Sequence, residues 1–124
     1  MVTMVSRLFI PGLLFIFTLV TGVWLSRFGK PLNVVIFTIH KSIALIATIL
    51  TVVMIYHLHS AFGMRLVAEV SAVVVTILSI LVLFISGAYL NLGKPLNAAV
   101  LTVHKVTPLL AAFSTTVAIY LLVF

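Results

Sequence analysis

Four long stretches of apolar residues make up most of the chain, and short polar segments separate them. A helix needs roughly 20 apolar residues to cross a bilayer core of about 30 Å. Four segments meet this requirement: Leu8 to Leu25, Leu32 to Leu58, Leu66 to Leu92 and Leu96 to Phe124. The segments between them contain the glycine, proline and asparagine residues typical of turns. The pattern predicts an all-α integral membrane protein, a four-transmembrane-helix bundle that forms a single membrane domain over residues 1–124.

Composition excludes most other classes of protein. Of the 124 residues, 65% are hydrophobic and 6% are charged, whereas soluble domains average about 45–50% apolar and about 25% charged residues. A soluble enzyme is therefore excluded. In so apolar a chain, the net charge of +6 indicates membrane orientation and not nucleic-acid binding. The chain has no cysteine, which excludes disulfides, iron–sulfur clusters and thiolate metal sites.

The basic residues predict how the helices are oriented. Five of them lie at the helix ends beside the helix 1–2 and 3–4 loops: Arg27, Lys30, Lys41, Lys94 and Lys105. The opposite ends carry only Arg7 and Arg65. Because lysine and arginine are enriched on the cytoplasmic side, both short loops are expected in the cytoplasm and both termini outside. The expected location is the plasma membrane of a prokaryote, with membrane lipid around the helices.

The chain contains an internal duplication. The segment Gly-Lys-Pro-Leu-Asn at residues 29–33 returns 64 residues later at 93–97, and His-Lys at 40–41 returns at 104–105. After a one-residue slip, Gly22 matches Gly87. The repeats cover approximately residues 8–60 and 66–124, and each predicts one helical hairpin. Two hairpins of the same orientation form a parallel repeat, related by a pseudo-twofold axis along the membrane normal.

His40 and His104 are the candidate ligands of a cofactor. If Asn33 and Asn97 are the N-caps of their helices, each histidine lies seven residues into its helix, roughly 10 Å below the cap. Ionisable side chains at such depth are costly and usually mark function. A neutral imidazole offers a ring nitrogen to a metal, so two imidazoles across the pseudo-twofold axis would supply both axial ligands of one haem iron.

Other residues near the histidines complete the predicted site. Gly22 and Gly87 reach a similar depth, where the lack of a side chain would make room for a porphyrin. Lys41 and Lys105 lie on the cytoplasmic side and would pair with haem propionates, or else extend to the membrane interface. The predicted cofactor-binding residues are His40, His104, Lys41, Lys105, Gly22 and Gly87, with the two histidines as metal ligands.

The two His-Lys motifs, at residues 40–41 and 104–105, resemble those of small transmembrane b-type cytochromes of the ascorbate-dependent and ferric-reductase-like kinds. The resemblance covers the helical core. It implies a four-helix core in which histidines on facing helices bind haem b and transfer electrons. Those families commonly place two histidines on one helix and hold two haems. Here helix 4 contributes only His104, and His57 and His59 are interpreted as interfacial, so one haem on the cytoplasmic side is expected.

The expected function is one-electron transfer, or haem binding in a subunit of a larger redox assembly, with a quinone or a partner redox subunit as electron partner. The chain is too small for its own nicotinamide or flavin domain, so an electron-transfer protein is favoured over a stand-alone enzyme. The alternative is a cofactor-free structural or accessory subunit. Its histidines would bond across helices to Thr38, Thr102 or backbone carbonyls, and its His-Lys pairs would contact lipid or quinone. A homodimer through the apolar outer faces is left open.

Three further polar or helix-breaking residues carry specific expectations. Glu69 follows Arg65 by four residues, which favours an ion pair on the helix surface. Pro11 is expected in the first turn of helix 1. Pro108 lacks an N–H and would leave the carbonyl of His104 without its helical partner, with a kink at that point.

Overall fold

The computed structural model describes residues 4–28, 33–62, 66–92 and 97–124. Over these residues the secondary structure consists of four helices and no strand: α1 (Met4–Phe28), α2 (Val34–Phe62), α3 (Val67–Leu90) and α4 (Ala98–Val123). The apolar spans within them are 23 to 28 residues long, which is enough to cross a bilayer. The predicted all-α membrane fold with four spanning helices is confirmed.

Asparagine side chains begin the second helix of each hairpin, as predicted. The Oδ1 atom of Asn33 accepts hydrogen bonds from the backbone N–H groups of Val35 and Ile36 at 3.0 and 3.2 Å. Asn97 does the same for Ala99 and Val100 at 3.0 and 3.4 Å. These bonds satisfy N–H groups that have no partner within the helix. The repeated Gly-Lys-Pro-Leu residues before each asparagine, including Lys30 and Lys94, lie outside the described residues.

One local expectation turns out differently at the start of α1, and another, at the start of α3, involves a residue outside the described part of the chain. Because α1 begins at Met4, Pro11 lies about two turns inside the helix, and the prediction of a first-turn proline is wrong. The helix extends before the apolar run because Ser6 and Arg7 are compatible with helical backbone. Glu69 is buried, and its carboxylate accepts a hydrogen bond from the N–H of Leu66 at 3.2 Å. Arg65, its predicted ion-pair partner, lies outside the described residues.

The chain divides into two compact units, Met1–His57 and Leu58–Phe124. In the first unit α1 and α2 form an antiparallel hairpin, because Thr21 near the end of α1 contacts His40 near the start of α2. In the second unit α3 and α4 are antiparallel as well. Ser86 near the end of α3 contacts His104 near the start of α4.

The α3–α4 hairpin also has a polar contact in its interior. The Thr76 hydroxyl is fully buried and lies 3.0 Å from the Ser114 hydroxyl and 2.9 Å from the carbonyl oxygen of Ala72. Polar contacts of this kind hold helices together in membranes, where apolar residues gain little by leaving lipid. The repeat places Pro11 and Leu50 at the corresponding positions of the first hairpin. The polar contact is therefore specific to the second hairpin.

Large apolar side chains cover the outer faces of all four helices. Phe9, Val35, Ile85 and Phe113 are 64 to 70% exposed in the isolated chain. Such a surface is incompatible with water and fits contact with lipid hydrocarbon.

Candidate functional site

The imidazole of His40 lies against α1 at the position of a glycine. A Cβ atom built on Gly22 would be 3.0 Å from Cε1 of the ring, closer than ordinary van der Waals contact. Nδ1 of the same ring lies 3.0 Å from the carbonyl oxygen of Thr18 and 3.0 Å from the hydroxyl of Thr21. We call these four residues the first histidine site. A side chain at residue 22 would require the ring to shift by a few tenths of an ångström.

The second hairpin builds the same arrangement around His104. A Cβ atom on Gly87 would be 3.1 Å from Cε1 of the ring, and Nδ1 lies 2.7 Å from the hydroxyl of Ser86. The Ser86 hydroxyl also lies 3.2 Å from the carbonyl oxygen of Leu83. We call these four residues the second histidine site. Both histidines are partly buried.

The two sites correspond residue by residue through the duplication. Thr21 and Gly22 of α1 become Ser86 and Gly87 of α3, at the same one-residue slip that aligns the two glycines. The histidine that completes each site lies on the following helix. Sequence reasoning identified the glycines and histidines but missed the hydroxyl residues. The available signal was a threonine or serine directly before each repeated glycine.

The space beside each glycine is occupied by an imidazole of the same hairpin. The sequence suggested that Gly22 and Gly87 make room for a porphyrin beside the flanking helices. In the structure, the atoms nearest to both Cβ positions are Cε1, Nδ1 and Nε2 of His40 and of His104, between 3.0 and 3.9 Å away. The glycines thus allow each histidine to approach the neighbouring helix closely.

The contacts of Nδ1 indicate that this nitrogen of the neutral His40 ring carries the proton. A carbonyl oxygen only accepts hydrogen bonds, so Nδ1 carries the proton and donates it towards the Thr18 carbonyl at 3.0 Å. The Thr21 hydroxyl has the carbonyls of Phe17 and Thr18 as acceptors at 2.9 and 3.0 Å. Its oxygen is therefore available to accept from Nδ1 as well. In this neutral tautomer the lone pair is on Nε2.

The contacts of His104 accommodate the same tautomer through a side chain. The Ser86 oxygen lies 2.7 Å from Nδ1 of His104 and 3.2 Å from the carbonyl oxygen of Leu83. In the tautomer that matches His40, Nδ1 donates to the Ser86 oxygen, the hydroxyl donates to Leu83, and the lone pair is on Nε2. In both hairpins, Nδ1 is bound within the hairpin.

Thr38 and Thr102 are the hydroxyl partners considered for the histidines. Their hydroxyls donate to the carbonyls of Val34 and Ala98 in their own helices, at 2.7 and 2.8 Å. The histidines instead bond to the preceding helix of their own hairpin, because Thr21 and Ser86 are the hydroxyls that face the rings. The expectation of a backbone carbonyl partner is met by Thr18.

The lysines that follow the histidines are both exposed. Nζ of Lys41 lies 5.5 Å from the centre of the Phe37 ring, within cation–π distance. The repeat places Leu101 at the position of Phe37, so Lys105 has no aromatic residue at the corresponding place one turn before it.

Two further predicted features are located on α2 and α4. His57 and His59 are exposed near the end of α2, and the ring of His57 meets Tyr56 edge-on at 6.0 Å. Helix α4 continues through Pro108. In the described part of the chain, no three histidine or acidic residues are grouped closely enough to hold a metal ion.

Comparison with known proteins identifies no relative of this chain. No protein-family model, no curated protein and no solved structure matches it. The functional assignment therefore depends on the chemistry of the two histidine sites.

Proposed function

We propose that this protein is a membrane cytochrome of the b type that binds one haem, with His40 and His104 as the two axial ligands. The observation that supports this is the duplicated arrangement of the two imidazoles. Each is held at Nδ1 by the neighbouring helix of its own hairpin, at 3.0 Å in the first site and 2.7 Å in the second. One chain thus provides two equivalent imidazoles, the number that a low-spin haem iron requires.

The tautomer of both rings fits ligation. Histidines that bind metals almost always donate their other ring N–H to a carbonyl, a carboxylate or water, which fixes the orientation of the ring and raises its basicity. Here Thr18 and Ser86 provide such acceptors. Nε2 of both His40 and His104 would be the ligating atom, and the Nδ1 contacts would hold each ring in place.

The surroundings fit a cofactor of low polarity. Both histidines are partly buried and lie within apolar helices, which suits a cofactor with a large apolar ring. Lys41 and Lys105 are exposed next to the histidines along the chain and would neutralise the haem propionates at the cytoplasmic side. When bound, haem supplies a reversible one-electron couple. The protein's part is to hold the imidazoles, exclude water and compensate the propionate charge.

Electron transfer is the activity that one bound haem would support. The donor and the acceptor would be a quinone in the lipid phase or the redox subunit of a larger assembly. The exposed apolar faces of the helices offer contact area for lipid, for such a subunit or for a second copy of the chain. We propose a prokaryotic plasma membrane as the location, and the distribution of the basic residues favours both termini outside.

A cofactor-free structural protein is the second candidate, and one observation favours it. Each imidazole joins the two helices of its hairpin through Nδ1, as an interhelical hydrogen bond in a membrane protein does. In that case the function of each histidine requires only the hydrogen bond of Nδ1. Haem ligation would also require Nε2 as the ligating atom, so the two functions predict different results for the same substitutions.

Absorption spectra of the detergent-purified protein, oxidised and then reduced with dithionite, test the proposal. We expect a Soret band and sharp α and β bands on reduction. Replacing either His40 or His104 with alanine should abolish or change the low-spin spectrum. The matched controls are His57→Ala and His59→Ala, which remove exposed histidines from α2 and should leave the spectrum unchanged. Absence of haem bands after expression with added haem would overturn the proposal.

Asparagine at the histidine positions separates the two candidate functions. Its amide nitrogen takes the place of Nδ1 as a donor, but it has no atom at the position of Nε2. If the histidines have only a structural role, His40→Asn and His104→Asn should be more thermally stable than the alanine variants. The wild type and all variants should then show no haem absorption bands. If haem is bound, the asparagine variants should lose the low-spin spectrum as completely as the alanine variants do.

A further inference from the structure

A hydroxyl side chain precedes the glycine in each histidine site and contacts the ring. The Thr21 oxygen lies 3.0 Å from Nδ1 of His40, and the Ser86 oxygen lies 2.7 Å from Nδ1 of His104. Both hydroxyls also contact the carbonyl oxygen three residues earlier in their own helix, at 3.0 Å for Thr21 and 3.2 Å for Ser86. Each hydroxyl therefore has an acceptor for its proton in its own helix, and its oxygen lies within hydrogen-bond distance of the imidazole.

This geometry differs from that of Ser79 in α3 and Thr51 in α2. The Ser79 hydroxyl donates to the carbonyl of Val75 at 2.7 Å, and the Thr51 hydroxyl donates to that of Ala47 at 2.8 Å. Such bonds to the same helix are common for serine and threonine in membrane helices and connect no other element. Thr21 and Ser86 make this bond and in addition reach a side chain on the next helix.

We infer that Thr21 and Ser86 are positioning residues that set the electron donation of the two axial imidazoles to iron. An oxygen that accepts the Nδ1 proton gives the ring more imidazolate character and so makes Nε2 a stronger donor. A stronger axial donor stabilises the ferric over the ferrous state and lowers the midpoint potential. This inference rests on the haem binding proposed above and assigns a function to two residues that contact no iron themselves.

The two hydroxyls contribute unequally. In the first site the Nδ1 proton is shared between the Thr21 oxygen and the Thr18 carbonyl, each at 3.0 Å. No side-chain substitution at position 21 removes that carbonyl. In the second site the hydroxyl contact is shorter, 2.7 Å, and charge shift along a hydrogen bond grows as the bond shortens. Ser86 should therefore have the larger effect.

Redox titration of the haem-loaded, detergent-purified protein measures this effect. We expect Ser86→Ala to raise the midpoint potential relative to the wild type, and Thr21→Val to raise it by less. Ser86→Thr restores a hydroxyl at position 86 and should return the potential towards that of the wild type. The controls are Ser79→Ala in α3 and Thr51→Val in α2, which remove hydroxyls bonded to their own helices and should leave the potential unchanged.

The results separate this inference from the proposed function. If the wild type shows no haem bands, haem binding fails and the assignment of Thr21 and Ser86 falls with it. If the wild type binds haem but Ser86→Ala and Thr21→Val titrate like the wild type, haem binding stands and the positioning role is refuted. An equal shift in Ser86→Ala and Ser79→Ala would also refute it, because any loss of a buried hydroxyl would then have the same effect.

Discussion

The closest packing in the first histidine site provides the sharpest test of the structure. In Gly22→Ala, the new methyl group would lie 3.0 Å from Cε1 of His40, and ordinary contact begins at 3.4 Å. The ring must move by at least this difference. Its Nδ1 contacts with Thr18 and Thr21, both 3.0 Å, would lengthen as it does. Overpacking of this kind costs about 1–3 kcal/mol, and a hydrogen bond between membrane helices contributes about 0.6 kcal/mol on average.

Gly12→Ala is the matched control in the same helix. A Cβ atom at position 12 has no neighbour within 4 Å, so this substitution changes only helix propensity, which favours alanine by about 1 kcal/mol. Because the same gain applies at position 22, the difference between the two variants isolates the contact with His40. We expect Gly22→Ala to be less stable than Gly12→Ala by about 1–3 kcal/mol.

The assay is unfolding of the detergent-solubilised protein by increasing SDS, followed by the fluorescence of Trp24, the single tryptophan of the chain. The same substitution is then made in a His40→Ala background. With the ring removed, Gly22→Ala and Gly12→Ala should change the free energy of unfolding by the same amount. Equal stability of the two glycine variants in the presence of His40 would refute the close approach of ring and helix.

Three other predictions concern the second hairpin, the caps and the topology. In a double-mutant cycle of Thr76→Val and Ser114→Ala, SDS unfolding should give a coupling energy of about 0.6 kcal/mol, because the hydroxyls bond to each other at 3.0 Å. Asn97→Ala should destabilise the protein by about 1 kcal/mol, since two N–H groups of α4 lose their acceptor; thermal unfolding measures this. The chain has no native cysteine, so single cysteines can report its topology. Ser26→Cys should react with an impermeant maleimide only from the cytoplasm, and Ser60→Cys only from outside. Labelling of both from one side would contradict the predicted orientation.

The repeated sites suggest why the spacing from cap to histidine is the same in both repeats. The cap at Asn33 or Asn97 sets where the helix begins, and each histidine follows its cap by seven residues. The glycine lies on the preceding helix of the same hairpin, directly opposite the imidazole ring. A shift of one residue in either helix would turn the imidazole away from the glycine by about 100°. The spacing within each repeat is therefore a geometric requirement of the site.

Local features of the sequence were sufficient to predict the helices. Hydropathy decides which segments enter a bilayer, because each residue contributes to transfer nearly independently of distant residues. The asparagine caps also follow from the order of residues along the chain. So does the correspondence between repeats of Gly22 with Gly87 and of His40 with His104. The start of α1 was less predictable, since the polar residues Ser6 and Arg7 are as compatible with helix as with an extended terminus.

Contacts between helices required the tertiary structure. Whether Thr21 or Thr38 faces His40 depends on the rotation of each helix about its axis and on the side-chain rotamer, which neighbouring helices determine together. The same applies to Gly22, whose missing side chain provides room for the imidazole of its own hairpin. Hydropathy is a property of one helix, whereas a hydrogen bond at 2.7 Å between Ser86 and His104 is a property of two helices packed in one register. For that reason the sequence predicts the four spans, and packing alone selects the atoms that hold each histidine.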